Sequence, residues 1–121
     1  MRSVKELKVY KDAFDTVLDI YRVTKSFPKD EQFGLVSQMR RAAVSVCSNL
    51  AEGSARGSRT DFRHFVYMAR GSAAELECQV SLSAALGFIK NTTANDLGQR
   101  IDEILKMLSG LLSSLSKDTN N

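Results

Sequence analysis

Apolar residues recur at intervals of three and four along four stretches of this chain, and this spacing constrains the fold more than any other feature. The spacing is most regular near the C-terminus, in a stripe formed by Leu97, Ile101, Ile104, Leu108, Leu111 and Leu115. An α-helix has 3.6 residues per turn, so residues at these intervals share one face and can be buried together. The stripe therefore predicts an amphipathic helix over about residues 93–116.

Three earlier stretches have the same spacing. Their stripes are Val9, Ala13, Val17, Ile20 and Thr24; Val36, Met39, Ala43, Val46 and Leu50; and Phe62, Phe65, Ala69, Ala73, Leu76, Val80 and Ser83. Pro28, the segment 53–58 with two glycines, and Gly87 separate the stretches, because proline and glycine end helices. We therefore expect helices over about residues 5–26, 30–52, 59–87 and 93–116, with residues 117–121 as a frayed tail.

The composition fits a single all-α domain. The chain has 121 residues, of which 43% are hydrophobic, and it contains one proline and no tryptophan. This length fits one domain with its own core. Sandwiches and barrels need many tight turns, and this chain has few turn-forming residues. An all-β fold is therefore nearly excluded. We predict one domain, residues 1–121, folded as an up-down-up-down antiparallel four-helix bundle with short loops.

The sequence also indicates a cellular compartment. Cys47 and Cys78 follow no metal-binding or redox spacing, which favours reduced thiols in a cytoplasmic protein. The N-terminus lacks the apolar segment of a signal peptide. The longest uncharged run, residues 78–89, is shorter than the roughly 18 residues of a membrane helix and contains polar side chains. We expect a cytoplasmic protein with no membrane partner.

Residues that could support catalysis are sparse. His64 is the only histidine, which excludes metal motifs that need several histidines. The segment 52–58 lacks both the lysine ending and the preceding strand of a phosphate-binding loop. Glu52, Glu75 and Glu77 could meet inside a bundle, but no Glu-x-x-His motif accompanies them. We expect a non-enzymatic protein that binds no metal and no cofactor.

Two predicted helices carry polar faces that could meet. The residues of this candidate network are Arg41, Ser45, Asn49 and Glu52 in the second helix, with Arg70, Ser72, Glu75 and Glu77 in the third. A buried network of this kind can fix one register or one assembly, because each buried polar group needs a partner. A solvated face is the equally weighted alternative.

Several apolar residues also fall beside the stripes, among them Phe14, Leu18, Leu82, Leu86 and Leu112, and could form either an oligomer face or a wide core.

A basic cluster follows the second predicted helix. Its members are Arg56, Arg59, Arg63 and His64, and Arg40 and Arg41 extend it only if one face carries both groups. Arginine binds phosphate through a planar fork of donors, and a helix start adds free N–H groups. The 17 Lys and Arg against 14 Asp and Glu give a net charge of +3. The candidate nucleic-acid contacts are therefore Arg40, Arg41, Arg56, Arg59, Arg63 and His64. Ordinary protein surfaces also carry such clusters.

The segments GLVSQMRRA, SNLAEG and ARGSAAELE are also informative. In their order and separation the chain resembles the four-helix bundle family of proteins encoded in intervening sequences of bacterial 23S ribosomal RNA genes. Accessory proteins of diversity-generating retroelements form a related branch. The resemblance implies a cytosolic bundle that assembles as a ring, typically a homopentamer, and whose basic surface contacts nucleic acid. It implies no catalytic activity.

The resemblance also maps onto particular residues. The matching positions are Arg40, Arg41, Asn49, Glu52, Gly53 and Arg56, then Phe62, Phe65, Arg70, Gly71, Ser72, Glu75 and Glu77. Cys47 departs from the family, which often has proline there, so we expect a straighter second helix. Two functions follow as hypotheses: binding of structured RNA through the basic cluster, or an adaptor role toward a protein such as a reverse transcriptase.

Overall fold

The computed structural model describes residues 3–119, with side chains through residue 116, and this part of the chain contains four α-helices and no strand. The helices are α1 (Lys8–Thr24), α2 (Ser37–Ala55), α3 (Arg59–Ala85) and α4 (Asn91–Thr119). Short 3-10 turns, Val4–Glu6 and Lys29–Glu31, precede α1 and α2. A π-helical turn, Gln32–Val36, leads directly into α2. The predicted all-α fold is confirmed.

Contacts between α2 and α3 show that these helices are antiparallel. In order along α2 the contacts are Met39 with Ser83, Ser45 with Ser72, and Gly53 with Phe65. Residue numbers rise on α2 while they fall on α3, which only an antiparallel pair produces. The end of α1 likewise meets the start of α2, where Arg40 Nε donates to Thr24 Oγ1 at 3.0 Å.

The helix α4 closes the bundle against α3 and α1. Arg70 of α3 donates to Ser109 Oγ at 3.4 Å. Asp19 of α1 pairs with Arg100 of α4. Each helix therefore packs against its neighbours in sequence, and α4 returns to α1, in agreement with the up-down-up-down order.

The core consists of two apolar clusters stacked along the bundle. Toward the α2–α3 loop the cluster comprises Val9, Ala13, Val46, Leu50, Phe62, Val66, Ala69, Ala73, Ile104, Leu108, Leu112 and Leu115. Toward the other end it comprises Ile20, Phe27, Val36, Met39, Ala42, Ala43, Leu76, Val80, Leu97 and Ile101. All four helices contribute to both clusters, so burial of their stripes holds the bundle together.

Several helix ends differ from the sequence expectation. The helix α1 begins at Lys8 because Leu7 is extended, with φ −73° and ψ 132°. The helix α2 begins at Ser37 because Gly34, with φ −108° and ψ −113°, interrupts regular helix before it. The last helix begins at Asn91 and continues to Thr119, past the expected start of the tail. Residues 120 and 121 of that tail lie outside the described residues.

The helix α2 continues through Gly53, which the sequence suggested as a helix breaker, and ends at Ala55. A Cβ atom on Gly53 would lie 2.5 Å from Cβ of Phe65 and 3.2 Å from the Phe62 ring. Real Cβ atoms do not approach so closely, so only glycine permits this separation of α2 and α3. Gly53 therefore serves as a packing residue, and Gly57, with φ 81°, makes the turn between the two helices.

Replacement of Gly53 by alanine tests this contact. Alanine normally favours a helix interior, but here its methyl group would push α3 away, so Gly53→Ala should lower the free energy of unfolding by about 1–3 kcal/mol. Gly71→Ala is the matched control, because Gly71 lies inside α3 with open space around it. The control should raise the free energy of unfolding by about 0.5–1 kcal/mol. Urea denaturation measures both, and equal stabilisation by the two changes would contradict the close contact.

Cys47 lies within the continuous helix α2 and packs against the first core cluster. Burial raises the pKa of the Cys47 thiol to about 11. The reactive thiolate at pH 8 is therefore about a hundredfold scarcer than at an exposed cysteine.

In a Cys78→Ser protein, we expect Cys47 to react with a disulfide reagent about a hundredfold more slowly in the folded state than in urea. Similar rates in the two states would show that the thiol is not buried.

Candidate functional site

The loop between α2 and α3 brings four basic residues to one corner of the bundle. Arg56 follows the last turn of α2, and α3 starts at Arg59. The Ser58 Oγ accepts from the Asp61 backbone N–H at 3.0 Å and so caps α3. We call Arg56, Arg59, Arg63 and His64 the arginine corner.

Two contacts position Arg56 while leaving about half of its side chain exposed. Its guanidinium carbon lies 5.0 Å from the centre of the Phe65 ring, a cation–π contact. Its Nη2 lies 3.7 Å from Glu52 Oε2, and both partners are half-exposed. An exposed ion pair at this distance contributes little stability. The stacking on Phe65 therefore orients Arg56, and water or an anion can still reach the guanidinium.

The remaining members lie on the first turns of α3. His64 is exposed, and its ring packs edge-on against Phe65 with 5.8 Å between ring centres. Arg59 is exposed and Arg63 is half-buried. The Nε atom of Arg63 is buried without a hydrogen-bond partner in the described part of the chain.

Electrostatics at the corner favours an anion. Three arginines lie here against two carboxylates, Asp61 and the Glu52 that pairs with Arg56. The N-terminus of a long helix also carries a partial positive charge, which the exposed start of α3 presents at the same place. The corner is therefore a surface site of positive potential, and its chemistry suits phosphate binding.

The structure separates Arg40 and Arg41 from this corner. Arg40 Nη2 donates to the Tyr21 carbonyl oxygen at 3.4 Å, and its guanidinium stacks 4.5 Å from the Tyr21 ring centre. Arg41 precedes Arg56 by about four helical turns, or about 22 Å along α2. Arg40 therefore joins α1 to α2, and the two groups of arginines do not form one continuous patch.

Part of the expected polar network forms between α2 and α3. The hydroxyl oxygens of Ser45 and Ser72 are 2.8 Å apart. Asn49 Nδ2 donates to both the carbonyl oxygen and the Oγ of Ser45, at 2.8 and 2.9 Å. Arg41 and Glu75 line the cleft beside these serines, but the two do not form an ion pair.

The other expected members point elsewhere. Glu52 pairs with Arg56, and Arg70 contacts Ser109 and the Tyr67 ring. Glu77 lines the groove between α3 and α4. The residues of the expected network therefore make separate contacts and do not form one network. The reason is that Arg70 and Glu77 lie on the side of α3 that faces α4.

Exposed apolar side chains form a feature that the helical pattern only partly indicated. Phe14, Leu18, Leu82 and Leu86 are exposed, as an oligomer face requires, whereas Leu112 is buried in the core. The pattern gave no signal for Phe33, which is 92% exposed. Phe33 lies in the π-helical turn, outside any regular stripe. With Tyr21, Val44 and Met68 it lines a groove over the outer surface of α2.

No helix among the described residues is both long and apolar enough to span a bilayer. No group of three or more His, Cys, Asp or Glu side chains in residues 3–116 is arranged to hold a metal ion.

Comparison with known proteins identifies the family. A protein of unknown function from the S23 ribosomal protein family of Bacteroides thetaiotaomicron has a similar crystal structure, with a TM-score of 0.80. The alignment covers 86% of this chain and 97% of that chain at 22% identity, so this likeness concerns the fold. No curated protein matches the chain. Residues 5–110 match the 23S rRNA-intervening sequence proteins, and the chain therefore belongs to that family.

Proposed function

We propose that this protein is a non-enzymatic, self-associating bundle that binds RNA or another nucleic acid through the arginine corner. The observation that carries the proposal is the concentration of Arg56, Arg59 and Arg63 at one end of the bundle, where they outnumber the nearby carboxylates Glu52 and Asp61. A cytoplasmic location fits this role, and the typical family homopentamer is the proposed assembly.

Phosphate contacts would dominate such binding. Arg56 already stacks on Phe65, so its guanidinium loses less freedom on binding than that of an unsupported side chain. The backbone N–H groups at the start of α3 would add donors. Contacts of this kind read the charge and shape of a nucleic acid and carry little sequence information. The family name refers to ribosomal RNA, which makes a structured RNA the first probe.

Neutralisation of the corner tests this proposal. The variant Arg56→Gln/Arg59→Gln removes two positive charges, so affinity for a labelled RNA hairpin at low salt should fall at least tenfold. The slope of log affinity against log salt should become shallower by about 1–2, as expected for two lost phosphate contacts. Fluorescence anisotropy at several salt concentrations measures both quantities.

The matched control is Lys25→Gln/Lys90→Gln. It removes the same charge from exposed residues at the opposite end of the bundle, near the end of α1 and the start of α4. The control should retain wild-type affinity and slope. Equal weakening by the two variants would mean that diffuse charge, and not the arginine corner, attracts RNA. An unchanged corner variant would refute the site.

The second candidate function is an adaptor that binds a protein such as a reverse transcriptase. Exposed leucines near the end of α3, Leu82 and Leu86, favour it because clustered apolar surface usually contacts a partner. This candidate takes precedence if the wild-type protein binds no RNA at low salt.

A further inference from the structure

We propose that the outer surface of α2 in one copy docks into the groove between α3 and α4 of a second copy. This inference rests on the self-association part of the proposed function and assigns the two surfaces that would meet. The first surface, the α2 face, comprises Tyr21, Phe33, Arg40, Arg41, Val44 and Met68. The second, the α3–α4 groove, is lined by Ala74, Glu77, Ser81, Ala84, Gly98 and Asp102.

The centre of the α2 face lacks the charge that a solvated helix surface carries. Residues 42–51 contain no Asp, Glu, Lys or Arg, and their outward positions hold Val44 and Ser48. Phe33, Met68 and Tyr21 are 92%, 41% and 40% exposed beside them. Exposed helix surfaces are normally charged or polar, and a grouped apolar surface usually contacts a partner.

The charge on the α2 face selects the kind of partner. Neither Arg40 nor Arg41 makes an ion pair in the described part of the chain. Glu75 lines the same cleft as Arg41 and offsets part of its charge. If the α2 faces of two copies paired about a two-fold axis, their arginines would lie close together. The repulsion between these like charges is unfavourable. A second copy must therefore present a different, negative surface.

The α3–α4 groove has the complementary charge. Glu77 makes no ion pair among the described residues, and Asp102 contacts only the exposed Lys106, at 3.3 Å. Ala74, Ser81, Ala84 and Gly98 have small side chains or none, which leaves the groove open. A Cβ atom on Gly98 would meet no atom within 4 Å. The two carboxylates of this groove complement the arginines of the α2 face, whose Phe33 side chain is almost fully exposed.

The pairing joins different surfaces, so each copy can contact two neighbours. Such head-to-tail contacts close into a ring when the rotation between copies allows it. Arg56, Arg59, Arg63 and His64 line neither surface, so the arginine corner stays accessible in the assembly.

Two single-surface variants test the pairing. Val44→Asp places a charge at the centre of the α2 face and leaves the groove intact. Gly98→Arg fills the groove, offsets one of its two negative charges and leaves the α2 face intact. Sedimentation velocity at micromolar concentrations should show an oligomeric wild type, and each variant alone should dissociate, with at least a tenfold weaker self-affinity. An equimolar mixture should form a heterodimer and nothing larger, because one intact α2 face meets one intact groove.

A third variant and a cysteine probe complete the test. Leu18→Asp is the matched control, since Leu18 is exposed but lines neither surface, and it should remain oligomeric. Circular dichroism confirms that each variant is folded, and Phe33→Ser replaces Val44→Asp if that variant is not.

Cys78 is exposed in the monomer and lines the groove, so the rate of its alkylation in the wild type should fall at least tenfold as the protein concentration rises.

The possible failures are distinguishable. A wild type that stays monomeric refutes the self-association part of the proposed function. An oligomeric wild type whose variants also stay oligomeric refutes only the assignment of these surfaces. Monomeric variants that form no heterodimer refute the head-to-tail pairing, as does an alkylation rate of Cys78 that is independent of concentration.

Discussion

The close approach of α2 and α3 at Gly53 determines how these two helices meet and so where the arginine corner lies. Because Gly53 has no side chain, the Phe62 and Phe65 side chains pack directly against α2. The hydrogen bond between Ser45 and Ser72 continues this contact along the two helices. The end of α2 and the start of α3 are thereby held together, and Arg56 meets the Phe65 ring.

The same helix pair separates two surfaces with different chemistry. At its end, Arg56 and Arg59 are exposed beside the half-buried Arg63, with Glu52 and Asp61 as nearby carboxylates. Farther along α2, Arg40 is engaged with Thr24 and Tyr21 beside exposed apolar residues. The arginines of α2 and of the loop after it thus lie in different surroundings. The first surroundings suit phosphate, and the second suit a protein surface that buries apolar groups.

Sequence periodicity predicted the four helices because burial on one face follows from local spacing. The charge pattern of the sequence indicated the arginine corner, whose members are close in the chain, and its role in binding stays a prediction. Periodicity could not distinguish neighbouring positions: Thr16 is buried while Val17 is only partly so. The sequence alone indicates a helix end at Gly53, because the close contact between Gly53 and Phe65 arises only from tertiary packing. The division of the polar network depends on how α3 is rotated about its axis, and the position of the Arg40 side chain depends on its contacts with Thr24 and Tyr21 of α1. The sequence pattern specifies neither.

Hydroxyl-radical footprinting, read residue by residue by mass spectrometry, tests most directly whether the two surfaces are distinct. The protein would be compared at low and high concentration, each with and without a structured RNA. We expect RNA to protect His64 and to leave Phe33 and Met68 unchanged at a fixed protein concentration. We expect a higher protein concentration to protect Phe33 and Met68 and to leave His64 reactive. Protection of the same residues by RNA and by self-association would show that the two surfaces are not distinct.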